Sequence, residues 1–234
     1  MNTRTSLYSS KTSGDRIGFT RTDLLVMIAI AAVLAALAIT PATNIRSKAR
    51  LTLCAGNLQH IGRAVLLYAE DHQQTLPGPL LGQAGDFWWW YKEQVKNYVG
   101  LSGASSTNDH LFACPVDRGY SDPKPFCLNP RFDYGSYVFN GVTLFGMPNI
   151  AGWKLSALNQ PRRTLLVMEW AAHAPLSWHR SKTGKANAPF YCDAESVVAF
   201  ADGHASLIKI YYDGYNAAYT RDPIPDYEYK YSGK

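Results

Sequence analysis

The sequence lacks the short motifs that mark the best-known classes of catalytic site. It contains no glycine-rich phosphate loop, no nucleophile elbow and no zinc-protease helix, each of which places defined side chains at a fixed spacing. Side chains that could transfer protons are present, namely His173, His179, His204, Glu169, Asp193 and Asp202. Because no motif gathers these groups into one site, we expect a protein that is not an enzyme.

Charge is also sparse. The 234 residues carry a formal net charge of +5. Two of these charges come from the N-terminal segment before Gly18, where three basic residues outweigh Asp15. A basic surface that binds nucleic acid needs a stronger and more clustered excess of charge. We therefore expect no nucleic-acid partner.

Cysteine is scarce, with four residues, Cys54, Cys114, Cys127 and Cys192. They form no Cys-x-x-Cys pair and lie at no close spacing to histidine, so we predict no metal site. Cys114 and Cys127 enclose a proline-rich loop of twelve residues, whose closure by a disulfide would contribute about 3 kcal/mol. An even number of cysteines is compatible with this bridge. Four buried free thiols are the alternative.

A long apolar run stands out against this composition. All sixteen residues from Leu24 to Ile39 are Leu, Val, Met, Ile or Ala. A helix of about 20 apolar residues crosses a bilayer, whereas a secretory signal has a shorter core and a cleavage site after it. A buried helix of a large core is also apolar all round. The charged residues before this run and the helical pattern after it favour a membrane anchor at residues 19–40.

The residues around this run resemble the start of type IV pilins and type II secretion pseudopilins. The shared pattern is Gly18-Phe19-Thr20, an acidic residue at the fifth place after the glycine, Asp23, and an unbroken apolar helix. The resemblance implies cleavage between Gly18 and Phe19 by prepilin peptidase, N-methylation of Phe19, and a role for Asp23 in assembly with other pilin-like subunits. The chain departs from the family in having Asp23 where glutamate is usual, and Arg21 where a small or apolar residue is usual.

The pattern after Pro41 predicts that the helix continues. Apolar residues recur at steps of mostly three and four as far as about Asp71, which indicates an amphipathic helix. Short segments rich in Val, Ile, Phe and Tyr then predict strands at 136–142, 164–170, 196–203 and 205–212, with a hairpin turn at Asp202-Gly203-His204. We expect an α+β, pilin-like fold, in which a long N-terminal helix, membrane-spanning in its first half, packs on an antiparallel sheet. The predicted organisation is a leader at 1–18, a transmembrane half-helix at 19–40 and an extracytoplasmic head domain at 41–234.

Further segments extend the resemblance to a pilin-like group abundant in Planctomycetes-type bacteria. The segments are residues 112–115, residues 159–169 and the turn at 200–204, where Asp202 and Gly203 match the C-terminal signature of that group. The signature includes a histidine upstream of the Asp-Gly pair. In this chain Cys192 occupies that place, and His179 lies further upstream.

Two surface features keep alternatives open. Carboxylates at Asp213, Asp222, Asp226 and Glu228 could bind Ca²⁺, as calcium loops of some pseudopilins do, although a solvated surface is the simpler interpretation. The aromatic run at 87–91 indicates core or a subunit interface rather than a ligand platform.

We expect a structural subunit that is anchored by a single pass in the inner membrane and assembles into a pilus or secretion pseudopilus. The alternative is a membrane-tethered extracytoplasmic binding module that does not polymerise.

Overall fold

The computed structural model describes residues 18–78, 91–120, 124–141, 148–180, 190–212 and 222–234, with the side chains of residues 36–44 left out. Most of the predicted leader, the aromatic residues 87–90 and the carboxylate Asp213 lie outside this part of the chain. The chain divides into two compact units, residues 1–45 and residues 46–234.

Helix α1 runs from Arg21 to Asp71. Its start is fixed by a reciprocal cap, in which the backbone N–H of Asp23 donates to the Thr20 hydroxyl over 3.2 Å and the N–H of Thr20 donates to the Asp23 carboxylate over 2.9 Å. Its end is marked by Gln73 and Gln74, whose φ angles of 56° and 62° cannot continue a right-handed helix.

The first unit contains the beginning of α1, and its apolar side chains are exposed to solvent. Large apolar residues there are between 51% and 66% exposed: Leu24, Leu25, Val26, Met27, Ile28, Ile30, Val33 and Leu34. In the amphipathic part of α1, by contrast, one set of apolar residues, such as Leu58, Ile61 and Val65, is fully buried.

The prediction of a membrane-spanning half-helix at 19–40 is wrong. Among the helical residues that the structure describes, no segment is both long enough and apolar enough to cross a bilayer. The predicted fold class is corrected in this respect, and so is the single-pass location in the inner membrane.

The second unit is built on a four-stranded antiparallel sheet in the order β1-β2-β3-β4. The strands are β1 Tyr137–Phe139, β2 Leu165–Glu169, β3 Ala194–Phe200 and β4 Ala205–Ile210. A short helix, α2, spans Tyr91–Val95. Single 3₁₀ turns occur at Lys96–Val99, His110–Phe112, Phe126–Leu128, Pro130–Phe132, Leu155–Ala157 and Trp170–His173.

The part of α1 within this unit packs on the sheet through one face. Residues at three- and four-residue steps are fully buried, namely Cys54, Leu58, Ile61 and Val65. The helix comes close to the sheet at Gly62, where an added Cβ would lie 3.2 Å from Cβ of Ala199 on β3. Glycine is therefore the residue that lets the helix axis lie directly against the strand.

The C-terminal segment joins the core, although its composition is polar and rich in turn-forming residues. The N–H of Leu165 donates to the carbonyl of Lys230, and the N–H of Lys230 donates to the carbonyl of Arg163, both over 2.9 Å. Tyr229 and Tyr231 are buried as a result. Backbone pairing beside β2 thus overrides the local composition.

We expect Gly62→Val to lower the free energy of unfolding by about 1–3 kcal/mol, because the added side chain must displace Ala199. The measurement is urea unfolding followed by tryptophan fluorescence, since Trp170 and Trp178 are buried in this unit. Gly56→Ala on the same helix is the matched control, because a Cβ there meets nothing within 4 Å. This control should gain about 0.5–1 kcal/mol from helix propensity. Equal stability of the two variants would contradict the proposed packing.

Candidate functional site

A buried cluster brings together four side chains that are far apart in the sequence. Cys54 lies on α1, Cys114 follows the turn at His110–Phe112, Glu169 ends β2, and His179 lies in the segment between β2 and β3. Their ligand atoms all lie within 4.8 Å of one another. Among the residues that the structure describes, this is the one group of three or more histidine, cysteine and acidic side chains that could hold a metal ion.

Glu169 is the centre of the cluster. Its side chain is 0% exposed, and its Oε1 lies 2.8 Å from Nε2 of His179, whose side chain is 4% exposed. The other carboxylate oxygen, Oε2, accepts a hydrogen bond of 2.9 Å from the backbone N–H of Val197 on β3. This second contact fixes the direction of the carboxylate, because β3 is itself held in the sheet.

Cys114 is held by a chain of hydrogen bonds that starts at its backbone. Its N–H donates to the Ser136 hydroxyl over 2.9 Å, and that hydroxyl donates to Asp117 over 2.7 Å. The Cys114 sulfur lies 3.5 Å from Oε1 of Glu169 and 4.0 Å from Nε2 of His179. The cysteine therefore faces the carboxylate and the imidazole together.

The structure joins Cys114 to Cys54 in a disulfide, with the two Cα atoms 5.5 Å apart. The predicted bridge between Cys114 and Cys127 is therefore wrong. Loop closure favoured the local pair, but packing of α1 on the sheet brings a cysteine 60 residues distant beside Cys114.

Cys127 is free, and its N–H donates to Asp117 over 2.9 Å. Burial, with the nearby charge of Asp117, raises the pKa of the Cys127 thiol to about 11, so it stays protonated at neutral pH.

The predicted C-terminal signature lies apart from this cluster, at the turn between β3 and β4. Gly203 has φ of 92°, and the Asp202 carboxylate lies 2.5 Å from Nδ1 of His204. Burial alone would raise the pKa of Asp202, but the hydrogen bonds with His204 outweigh it and lower the pKa. The turn borders a groove of about 610 Å³ along α1, lined among others by Arg63 and Glu70.

The residues predicted to act in processing and assembly lie at the start of the chain's described part. Gly18, Phe19 and Thr20 are exposed and precede the first helical residue. Asp23 caps the helix, and its hydrogen bonds with the backbone N–H and the hydroxyl of Thr20 lower its pKa. The carboxylate is therefore ionised at neutral pH.

The remaining predicted groups are distributed over several places. Asp222 accepts hydrogen bonds from the backbone N–H groups of Tyr231 and Ser232, at 2.7 and 2.9 Å. Its oxygens are thereby already engaged, and a Ca²⁺ site stays a prediction. Asp193 accepts from the Tyr227 hydroxyl over 2.8 Å. The structure thus pairs Glu169 with His179 and Asp202 with His204, and it forms no larger assembly of the six proton-transfer groups among the described residues.

No family model, curated protein or solved structure matches the chain. Function is therefore argued from the residues themselves. The sequence reasoning missed the cluster because its members are separated by about 10 to 60 residues. One signal was present, since Glu169 ends an otherwise apolar strand segment, and a buried carboxylate requires partners.

Peptide mapping should find residues 54 and 114 joined, and not residues 114 and 127. In the presence of a chelator, reduction should lower the free energy of unfolding by about 4 kcal/mol, the loop-entropy value for this separation. Cys127→Ser should show the same loss on reduction, whereas Cys114→Ser should show none. A bridged 114–127 peptide would contradict the pairing.

Stability should also depend on His173, which burial holds neutral with its pKa lowered to about 3. The unfolded chain binds a proton near pH 6.5, so it binds more protons than the folded chain between pH 6.5 and 3. Stability should therefore fall as the pH drops through this window, by up to about 1.4 kcal/mol per pH unit from this residue. Urea unfolding at several pH values gives the free energy of unfolding as a function of pH. Below pH 6.5 this free energy should change less steeply with pH in His173→Phe than in the wild type. The exposed control His60→Phe should show the same pH dependence as the wild type.

Proposed function

We propose that the chain is a pilin-like structural subunit, which prepilin peptidase cleaves between Gly18 and Phe19 and which assembles with other pilin-like subunits through the beginning of α1. The observation that carries the proposal is the exposed apolar surface of that part of the helix. Apolar surface of this extent marks an interaction site, because its burial contributes about 25 cal/mol per Å².

The distribution of this surface indicates the kind of partner. Five consecutive residues, from Leu24 to Ile28, are more than half exposed, and consecutive residues point in directions about 100° apart around a helix. The apolar surface therefore surrounds the helix instead of forming a stripe. A single flat partner would cover one side only, whereas a bundle of similar helices would cover all of them.

Asp23 would supply specificity within such a bundle. Its ionised carboxylate uses Oδ2 to accept the N–H of Thr20. Cleavage after Gly18 would create a new amino group on Phe19 of each subunit. Inside a packed bundle an ionised carboxylate needs an opposite charge, and the Phe19 amine of a neighbouring subunit would provide it.

Accessibility of the cleavage site supports the first step. Residues 18–20 lie outside the helix and are exposed, and proteases cleave such segments in preference to helices. Mass spectrometry of the protein co-expressed with a prepilin peptidase should find an N-terminus at Phe19 carrying one methyl group. An uncleaved chain under these conditions would contradict the processing step.

Asp23→Ala should leave the second unit folded but reduce assembly by about 100-fold or more, because loss of one partner of a buried ion pair costs about 3–5 kcal/mol. The measurement is the fraction of processed subunit in sedimented filaments. Asp23→Glu should retain assembly, since it restores the residue usual in the family.

Thr20→Ala separates assembly from helix capping. It removes the cap hydroxyl but keeps the carboxylate, so assembly should change little. Equal loss in Thr20→Ala and Asp23→Ala would mean that Asp23 acts only as a cap. Processed wild-type subunit that never enters a filament would instead favour a binding module that does not polymerise.

A further inference from the structure

We propose that the cluster of Cys54, Cys114, Glu169 and His179 binds one Zn²⁺ when its disulfide is reduced, so that the protein has two alternative states at this place. In the oxidised state the two sulfurs are bonded to each other, and in the reduced state both bind the metal. The proposal rests on the second unit alone and is independent of assembly through the beginning of α1.

The donor set fits zinc. Zn²⁺ in proteins takes thiolate sulfur, imidazole nitrogen and carboxylate oxygen, and four such ligands around it form a tetrahedron. The cluster offers two sulfurs, Nε2 of His179 and a carboxylate oxygen of Glu169. At metal–ligand distances of about 2.0–2.3 Å, tetrahedral ligands lie about 3.3–3.8 Å apart. The four atoms are already within 4.8 Å of one another, so modest side-chain movements are enough.

The buried negative charge of the site also favours binding of a cation. Glu169 is completely buried, and in the described part of the chain its ion pair is with His179 alone. Lys92, a buried charge of the same unit, has a full opposite charge in Asp109 at 2.9 Å. Burial of an anion is costly unless it is paired or coordinates a metal. A divalent cation would offset two of the three negative charges that Glu169 and two thiolates carry.

The protein holds the ligands in place from outside the site. Val197 N–H donates to Oε2 of Glu169 and leaves Oε1 directed at the cluster. Ser136 accepts from the backbone N–H of Cys114, and it donates to Asp117. Ligands fixed by such outer contacts are typical of built metal sites.

Exchange between the two states is a two-electron reduction of the disulfide followed by metal binding. A dithiol reductant gives two electrons and two protons to the Cys54–Cys114 disulfide and becomes a disulfide itself. Zn²⁺ then replaces the two thiol protons, which pass to solvent. Binding through Nε2 of His179 requires that its ring proton resides on Nδ1. Oxidation of the two thiolates by a disulfide reverses the sequence and releases the ion.

The test uses the full chain, reduced with a dithiol, stripped with a chelator and dialysed against Zn²⁺. We expect about one Zn²⁺ per reduced chain by elemental analysis, and none bound by the oxidised chain. Co²⁺ as a probe should give the thiolate charge-transfer and tetrahedral d–d absorption bands. Reduced wild-type chain that binds no Zn²⁺, or an oxidised chain that binds as much, would overturn the proposal.

Variants assign the ligands. Glu169→Gln and His179→Gln keep both cysteines, so they can fold in the oxidised form before reduction. Each should weaken Zn²⁺ binding by more than the roughly 10–100-fold that loss of an outer contact costs. Cys54→Ser should abolish the Co²⁺ charge-transfer pattern of two thiolates. Cys127→Ser is the matched control and should bind as the wild type does, because Cys127 lies outside the cluster. Equal binding by His179→Gln and the wild type would contradict the assignment.

Discussion

The packing of α1 on the sheet at Gly62 is the constraint on which the second unit depends. The helix lies so close to β3 here that a Cβ added to Gly62 would be only 3.2 Å from Cβ of Ala199. Two turns earlier on the same buried face is Cys54, which this packing places beside Cys114. The Cys54–Cys114 disulfide therefore depends on this approach of helix to strand.

Burial of Glu169 then determines the chemistry of the site. A carboxylate at the end of an apolar strand would be unfavourable alone, but the sheet supplies a backbone donor at Val197 and the following segment supplies His179. The buried lysines Lys92 and Lys96 are stabilised differently. Each ammonium group contacts both a carboxylate and a backbone carbonyl. Glu169 has no such cationic side chain with a permanent charge among the described residues.

Strand positions and the β3–β4 turn could be predicted because they depend on local signals. Val, Ile and Phe enrichment marks the segments that became β2 and β3, and Gly203 supplies the positive φ of the turn. The disulfide and the cluster could not be predicted in this way. They join positions separated by up to 60 residues through a helix–sheet contact, which leaves no spacing pattern in the sequence. The membrane-spanning prediction rested on the apolar run and its flanking residues, and it was wrong because no helical segment among the described residues is long and apolar enough to cross a bilayer.

The two units differ in whether the apolar residues of α1 are buried or exposed. In the second unit, apolar positions of α1 recur at helical spacing and are buried against the sheet, so the chain satisfies them itself. At the beginning of α1, apolar residues follow one another without a polar face. Because they point to all sides of the helix, a single straight helix leaves them exposed. The proposed assembly would cover this surface, and the ionised Asp23 at its edge would favour partners that present a positive charge there.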